Sequence, residues 1–352
     1  MKILYAGNIT PNDSTLYRMW ALRRLGHTPI PFNAVDYLPN NELARKIAFR
    51  LSAGPQVEQM NRDLLRLAER EAVEAVWADK LLGMQPRTLK RLHAMGIVTV
   101  SYMIDNAFGP RRDPGWRLYR KCLRLYDLHV TQREVSLQEY RVRGARDVMK
   151  IQTAYEPTIH FPPPPGWSDK DRDRGVSFVG TPYDDRAQFL TRLWKAAGFP
   201  VTVSGGLVWK AALGAEATEA LYRGHGELFR DDYREAIWRS RINLSFLTHS
   251  NQDEFVHKSF EIAACRGFLL AERSAGHAAR FAEDEEAVFF SSFGECVDKI
   301  QRYLPDEHAR ERIAAAGYER AKRSGYDNDH QVKLIVDRII QLLARFPKAG
   351  KR

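Results

Sequence analysis

Short apolar runs alternate along this chain with longer segments in which apolar residues recur at helical spacing. Each run ends in Gly, Asp or a polar loop, which is typical of a buried parallel strand. In the first half these predicted strands lie at residues 2–6, 28–32, 75–78, 97–104, 128–131 and 148–152. The first helical pattern between them consists of Leu16, Met19, Leu22 and Leu25. Strands that alternate with helices predict a parallel α/β sheet.

The pattern pauses at a proline-rich segment and then starts again. Pro157 and the run 162–165 exclude helix and central strand, and residues 169–174 alternate in charge. The second half has predicted strands at 176–180, 201–204, 242–246, 268–271 and 287–290. We therefore predict two Rossmann-like domains, 1–157 and 175–328, joined by a semi-rigid linker, 158–174.

The closing segment, 329–352, is predicted to be a helix that crosses back to the first domain. Its apolar residues form one stripe, made of Val332, Ile335, Val336, Ile339, Leu343 and Phe346. A stripe of this length needs a surface to cover it. A helix so late in the chain can find that surface on the first domain.

Length and charge narrow the class of protein. A chain of 352 residues is too long for one core of usual size and fits two domains. The net charge of +10 favours an anionic partner, which could be a nucleotide, an anionic membrane surface or nucleic acid.

Basic residues concentrate between Arg111 and Lys150, and the closest group is Arg111, Arg112, Arg117, Arg120, Lys121 and Arg124. This surface is either a solvated helical face or a contact for anions. No zinc-finger spacing or RNP-like strand is present, so no specific nucleic-acid binding is expected.

Targeting signals and cysteines give the expected compartment. The sequence contains no apolar stretch of ~18 residues, and the apolar start of the chain is too short for a signal peptide. Cys122, Cys265 and Cys296 are far apart and lack metal-ligand spacing. We expect three buried, reduced thiols in a cytoplasmic protein. The inner face of the membrane remains an open alternative location.

The stretch from Asn251 to Glu272 carries the densest candidate chemistry. Asp253 lies in a loop, and Glu261 lies in the first turn of a helix that begins near Lys258. The free N–H groups and the positive dipole end of that helix would face an anion. The helix ends at Gly267, and a buried strand follows.

Asp105 is a second candidate, because it directly follows the strand at 97–104. Ligands of open α/β sheets gather beyond the carboxyl ends of strands. Asp105 is therefore either a reacting carboxylate or a loop cap. The first loop, from Gly7 to Asn12, lacks G-x-G-x-x-G and contains a proline, which argues against a dinucleotide site there.

Four segments together carry a resemblance to a known family. They are FVGTPYDDR (178–186), SGG (204–206), RINLSFL (241–247) and FEIAACRGFLLAE (260–272). With the paired Rossmann-like halves, they resemble the GT-B glycosyltransferases, and more narrowly the spore-maturation CgeB-type family. Two positions depart from the CgeB-type pattern. Lys258 replaces its arginine, and Arg266 replaces the first glycine of its Gly pair.

The resemblance implies an architecture and a reaction. Two parallel sheets would face each other across a cleft, with the last helix crossing back to the N-terminal domain. The enzyme, hexosyltransferase-like and of the type used in polysaccharide biosynthesis, would move a sugar from a nucleotide-diphosphate donor to a hydroxyl. The acceptor is a glycan, a lipid, a protein or a small molecule. The expected co-substrate is a UDP-sugar, with no cofactor and no metal.

The resemblance also implies roles for individual residues. Glu261 would bind the two ribose hydroxyls, and Arg186 and Lys258 would neutralise the diphosphate. The donor would also contact Gly180, Gly205, Gly206 and Ser259. Asp253 and His249 would face the sugar or acceptor. Asp105 would be the base if the reaction inverts the anomeric centre, whereas the acid-x₇-Glu spacing favours retention.

Three alternatives stay open on the sequence. One is a sugar-nucleotide epimerase on the same scaffold, which would act without an acceptor. Another is a nicotinamide-dependent dehydrogenase, which the missing G-x-G-x-x-G disfavours. The third is a basic protein that binds membranes or nucleic acid through the surface between Arg111 and Lys150, with affinity that falls steeply with salt.

Overall fold

The computed structural model describes residues 1–39, 41, 53–110, 115–224 and 226–345. The chain divides into two compact units. The first unit combines Met1–Gln152 with Asn328–Arg352, and the second is Thr153–Asp327. Arg111, Arg112 and Phe346, which the sequence singled out, lie outside the described residues.

The first unit contains a six-stranded parallel sheet in the order β2-β1-β3-β4-β5-β6. Its strands are β1 (Lys2–Gly7), β2 (Thr28–Asn33), β3 (Ala75–Asp79), β4 (Val98–Tyr102), β5 (Leu128–Thr131) and β6 (Val148–Lys150). The four strands in the middle of the sheet, β1, β3, β4 and β5, are almost continuously buried. Burial on both faces explains why the sequence shows unbroken apolar runs here.

Helices cover both faces of this sheet. They are α1 (Ser14–Arg24), α2 (Pro55–Arg70), α3 (Pro86–Ala94), α4 (Trp116–Cys122), α5 (Glu134–Val142) and the last helix, which is α14 (Asn328–Leu343). A 3₁₀ turn, Ala34–Tyr37, follows β2. In α14, Val332, Ile335, Val336 and Ile339 are at most 3% exposed and share a core with Met19 and Leu22 of α1, and with β1, β3, β4 and β5. The apolar stripe of the last helix is thus buried in the first unit.

The second unit contains a five-stranded parallel sheet in the order β11-β10-β9-β7-β8. Its strands are β7 (Arg174–Val179), β8 (Val201–Ser204), β9 (Ser240–Ser245), β10 (Leu269–Glu272) and β11 (Val288–Phe290). All eleven strands that the apolar runs predicted are present. The predicted fold class, α/β with two parallel sheets, is confirmed.

The helices of the second unit are α6 (Arg186–Ala197), α7 (Val208–Leu213), α8 (Ala215–Leu221), α9 (Arg230–Trp238), α10 (His257–Ala264), α11 (Ala275–Ala278), α12 (Phe293–Tyr303) and α13 (Glu307–Arg323). Short 3₁₀ turns lie at Asp169–Asp171 and His249–Asn251. The sequence did not predict α7, α8 or α11, which are short.

The proline-rich segment belongs to the second unit and is packed against it. Glu156 is fully buried, and His160 is 3% exposed. Arg234 of α9 donates to Ile159 O at 3.0 Å, and Trp238 Nε1 donates to Phe161 O at 3.0 Å. The prediction of a separate linker is therefore wrong for this stretch, because α9 binds its backbone carbonyls.

The basic surface of the first unit is solvated where it is described. Arg117 and Lys121 of α4 are exposed. Arg120 and Arg124 donate to backbone carbonyls of Ala107 and Arg143. The exposure of Arg117 and Lys121 fits either a solvated face or a contact for anions.

The three cysteines lie in the interior of the two units. The three cysteines are buried free thiols, as predicted, and burial raises the pKa of each. Among the described residues, no helix is both long and apolar enough to cross a membrane.

Candidate functional site

The carboxyl edge of the second sheet gathers most of the residues that the sequence singled out. Parallel strands end on one side of a sheet, and the residues after β7, β8 and β9 therefore meet there. Gly180 follows β7, and Gly205 follows β8. The loop that contains Asp253 connects β9 to α10, the helix that carries Lys258 and Glu261.

The turns after β7 and β8 touch each other, which only glycine permits. Gly205 has φ +153°, and a Cβ added there would lie 2.1 Å from Gly180 O. Trp209 Nε1 donates to that same oxygen at 2.6 Å, and Tyr222 Oη donates to Gly205 O at 2.7 Å. The nearest contact of a Cβ added at Gly206 would be the Glu227 side chain, at 3.4 Å. The backbone at Gly180 and Gly205 is thus fixed from both sides.

Glu261 is held on α10 between two aromatic side chains. Its side chain is 17% exposed, and Tyr233 Oη donates to its Oε2 at 2.7 Å. The backbone N–H of Glu156 donates to His160 Nδ1 at 3.0 Å. The neutral imidazole therefore carries its proton on Nε2, which lies 3.9 Å from Glu261 Oε1. Burial lowers the pKa of His160, which favours this neutral ring.

The Glu261 carboxyl is kept ionised. Burial by itself raises its pKa, but basic neighbours and one hydrogen bond outweigh burial and lower the pKa. These groups are His257, Lys258 and the Tyr233 hydroxyl, and His160 adds to the effect only in its protonated form. An ionised carboxylate accepts hydrogen bonds through both oxygens and donates none. Glu261 is thus suited to bind hydroxyl groups.

Lys258 provides a cation beside Glu261. Its Nζ lies 3.5 Å from Tyr233 Oη, 5.5 Å from the ring centre of Phe178 and 5.2 Å from that of Tyr233. A Cβ added at Gly180 would lie 3.4 Å from this Nζ. Within the described part of the chain, no other acceptor lies within hydrogen-bonding distance of the ammonium. Burial, and to a lesser extent the charge of Arg186, lower the pKa of Lys258 to about 8, against the opposing effect of Glu261.

Arg186 is placed differently from the prediction. Its side chain is only 6% exposed, and its guanidinium donates to Thr181 O at 3.1 Å, Leu247 O at 2.9 Å and Thr248 Oγ1 at 3.0 Å. These bonds join the loop after β7 to the loop after β9. Arg186 therefore braces the site, and its buried Nε–H has no hydrogen-bond partner among the described residues. The bonds of its terminal nitrogens give Arg186 a structural role, and its contact with the diphosphate stays a prediction.

Ser259 is also structural. It is fully buried, its Oγ lies 3.0 Å from Ser245 Oγ, and it lies 2.8 Å from Nε2 of the buried His277. His277 Nδ1 donates to Glu272 O at 2.8 Å, so Nε2 accepts from Ser259. Burial lowers the pKa of His277 to about 4, which keeps this ring neutral. The hydroxyl of Ser259 is enclosed, so the structure gives this side chain a structural role, and the predicted contact of Ser259 with the donor stays a prediction.

Asp253 and His249 lie in the loop after β9. Asp253 is half-buried, and its Oδ1 accepts from Asn251 Nδ2 at 3.2 Å. His249 is 60% exposed and lies 2.7 Å from Glu272 Oε1. His249 also lines a cavity of about 540 Å³, together with Arg186, Arg192 and Glu272.

Asp105 belongs to the first unit, just after β4. Its Oδ2 lies 3.0 Å from Lys80 Nζ, and both side chains are partly exposed. It is therefore an ion-paired carboxylate at the carboxyl edge of the first sheet. Among the described residues, no group of three or more His, Cys, Asp or Glu side chains could hold a metal ion.

Sequence reasoning missed Tyr233 and His160, which both face Glu261. Tyr233 lies on a different helix, 28 residues before Glu261, and no motif spacing connects them. His160 lies inside the segment that was interpreted as a linker. Its only sequence signal is that it is an isolated titratable residue between prolines.

Comparison with known proteins assigns this arrangement to a fold. Residues 186–337 match a family model described as glycosyl transferase-like, and this segment is less than half of the chain. A sucrose-phosphate synthase from Thermosynechococcus elongatus superimposes with a TM-score of 0.70 at 13% identity, covering 98% of this chain and 99% of its own. The fold is that of the GT-B glycosyltransferases.

Two further structures share this fold. Anabaena HepE in complex with UDP gives a TM-score of 0.66 at 14% identity, covering 97% of this chain and 100% of its own. A trehalose-6-phosphate protein from E. coli bound with UDP-2-fluoro glucose gives 0.65 at 12% identity, covering 97% and 99%. No curated protein matches this sequence. At these identities the GT-B likeness concerns the fold, and the chemistry must be argued from the site.

Proposed function

We propose that this protein is a metal-independent glycosyltransferase that moves a sugar from a nucleotide-diphosphate sugar, a UDP-sugar, to a hydroxyl group. The observation that carries the proposal is the pair formed by Glu261 and Lys258 on α10. An ionised carboxylate and a cation lie side by side next to the Gly180 turn. This pair lies in the segment that matches the glycosyl transferase-like family model.

Each member of the pair fits one part of the donor. Glu261 Oε1 and Oε2 would accept the two ribose hydroxyls, at a carboxylate whose orientation Tyr233 already fixes. Lys258 would bind the diphosphate, with the first N–H groups of α10 adding positive potential. HepE, which shares the fold, binds UDP and UDP-glucose, and this supports the UDP-sugar as donor.

The transfer exchanges one bond for another at the anomeric carbon. The bond to the phosphate oxygen breaks, and its electron pair leaves with the nucleoside diphosphate. The acceptor oxygen forms the new bond and releases its proton to a base. Lys258 would stabilise the charge that grows on the diphosphate in the transition state, which is the role a metal has in other enzymes.

The proposal also covers the contacts of the donor sugar and the stereochemistry of transfer. Asp253 and His249 would contact the donor sugar from the loop after β9. The acid-x₇-Glu spacing from Asp253 to Glu261 favours retention of configuration. Asp105 would be the base under inversion only. The CgeB-type family remains our proposal for the narrower relationship, because the segments at 178–186 and 260–272 resemble it.

Calorimetric titration with UDP, GDP, ADP and dTDP tests the donor site. We expect saturable binding of UDP that is unchanged in EDTA, because the charge is neutralised by Lys258 and α10. Absence of binding for all four nucleotides would refute the proposal. Loss of UDP binding in EDTA, restored by Mg²⁺ or Mn²⁺, would refute metal independence. Conversion of a UDP-sugar to an isomer without acceptor would indicate an epimerase instead.

A further inference from the structure

A cavity of about 350 Å³ lies in the first unit, at the carboxyl edge of its sheet. Its floor is formed where three neighbouring strands end. Gly7 ends β1, Ala34 follows β2, and Lys80 follows β3. Small-molecule pockets measure about 300–1,000 Å³ and occur where parallel strands end. The cavity therefore has the size and the position of a site for one small group.

The side chains that line this cavity are mostly apolar. Leu38 is 49% exposed and lies at the solvent-facing side of the cavity, whereas Met60 and Leu81 are each 5% exposed. The apolar wall consists of Val35, Leu38, Val57, Met60, Leu81 and Leu82. A sugar ring pressed against such a wall would lose hydrogen bonds to water and gain few in return. The wall therefore favours an apolar group over a carbohydrate.

One edge of the cavity is charged, and the backbone there is strained. Lys80 has φ +51°, a left-handed conformation that a non-glycine residue seldom adopts. Its N–H donates to Tyr102 O at 2.9 Å, and its Nζ lies 3.0 Å from Asp105 Oδ2. Lys80 lines the cavity, and its ion pair with Asp105 adds a carboxylate to this charged edge. The cavity thus has an apolar interior and a polar edge.

We propose that this cavity binds the acceptor, and that the acceptor is an amphipathic small molecule with an apolar group and a hydroxyl-bearing head. The apolar group contacts Val57, Met60 and Leu82. The head lies at the edge formed by Lys80 and Asp105, which together donate to and accept from hydroxyls. The inference deepens the proposed function. It depends on that function only in calling the bound molecule an acceptor. The binding itself can be tested without any transfer reaction.

The test is calorimetry on the full-length protein with methyl, butyl and hexyl β-D-glucopyranoside as probes, below any micelle concentration. Each methylene group that is buried raises affinity about fourfold, because its transfer contributes about 0.8 kcal/mol. We expect hexyl to bind at least tenfold more tightly than methyl. Phenyl β-D-glucopyranoside is the fourth probe. If the phenyl glucoside binds more tightly than the hexyl glucoside, the cavity prefers an aromatic group. If the hexyl glucoside binds more tightly, the cavity prefers an alkyl group.

A matched pair of variants locates the binding. Val57→Lys places an ammonium in the apolar wall, whereas Val142→Lys makes the same change at a residue that is 86% exposed at the end of α5. We expect Val57→Lys to abolish the gain with chain length and Val142→Lys to keep it. Leu38→Gln is the second wall variant. Leu38 is half in solvent, so this change tests the wall even if Val57→Lys does not fold.

The outcomes separate the inference from the proposed function. Equal affinity for the methyl, hexyl and phenyl glucosides overturns the inference. It is also overturned if affinity still rises with alkyl chain length in both the Val57→Lys and the Leu38→Gln proteins. UDP binding is measured on the same samples and reports on the second unit. Loss of nucleotide binding with an intact chain-length effect would refute the proposed function but keep the apolar site. Normal UDP binding without any effect of alkyl chain length would refute the apolar site and keep the proposed function.

Discussion

Tyr233 Oη donates a hydrogen bond of 2.7 Å to Glu261 Oε2, and this bond joins α9 to α10 across the second unit. It fixes the orientation of the carboxylate that we propose binds the ribose hydroxyls. Lys258 Nζ lies 3.5 Å from the same hydroxyl, so the tyrosine contacts both charged groups of the pair. The site is therefore organised before a donor arrives.

Glu261→Gln should weaken UDP binding about tenfold to about 150-fold. Hydrogen bonds to a charged acceptor contribute about 1.5–3 kcal/mol, and the amide removes the charge. Calorimetry at pH 7.5 measures the effect. Glu216→Gln is the matched control, because Glu216 is an exposed residue of α8 whose partner is Lys195. An unchanged UDP affinity in a folded Glu261→Gln protein would exclude the ribose role.

UDP affinity should fall as the pH rises through about 8. The pKa of Lys258 is lowered to about 8, so its ammonium is largely protonated at pH 7 and largely neutral at pH 9. The second phosphate pKa of UDP, near 6, lies below this range, so the charge of the ligand stays constant. Calorimetry from pH 7 to pH 9.5 gives the profile.

Lys258→Arg provides the control for this profile. Arginine stays charged over the whole range, so the decline above pH 8 should disappear in that variant. A wild-type affinity that is flat to pH 9.5 would show that Lys258 does not bind the diphosphate.

Gly205→Ala should destabilise the second unit, whereas Gly206→Ala should be tolerated. The new methyl at 205 would collide with Gly180 O, and the backbone there has φ +153°. Strain of this kind costs of order 1–3 kcal/mol. At 206 the nearest contact of the methyl is the Glu227 side chain at 3.4 Å, which is an ordinary van der Waals distance. Midpoints of urea unfolding compare the two, and equal midpoints would contradict the close approach of the two turns.

Ile335→Ala should lower the free energy of unfolding of the first unit by about 2–5 kcal/mol, because it leaves a cavity in a close-packed core. Ile335 is fully buried on α14, whereas Leu334, its neighbour on the same helix, is 41% exposed. Leu334→Ala should change stability by no more than about 0.5 kcal/mol. Denaturant unfolding measures both variants.

UDP affinity provides a second measurement on these α14 variants. The donor residues lie in the second unit, so both folded proteins should bind UDP as the wild type does. Equal destabilisation by the two substitutions would contradict the burial of the α14 stripe.

The sequence by itself determined both sheets. Strands that are buried on two faces must be apolar along their whole length, and this explains the central runs. The outer strands β2 and β6 are only partly buried, and they were found from short apolar runs that end in a polar loop. It also gave the position of Glu261 and Lys258 on one helix, because helix start signals are local. The apolar stripe at Val332, Ile335 and Ile339 followed from helical spacing in the same way.

Only the tertiary structure decided which side chains share the site. Arg186 resembled a ligand-binding cation in sequence, but its guanidinium is occupied by Leu247 and Thr248, which lie 61 and 62 residues later. Tyr233 and His160 reach Glu261 from another helix and from a proline-rich segment. Such contacts depend on how elements pack, and no local periodicity encodes the packing of residues so far apart in the chain.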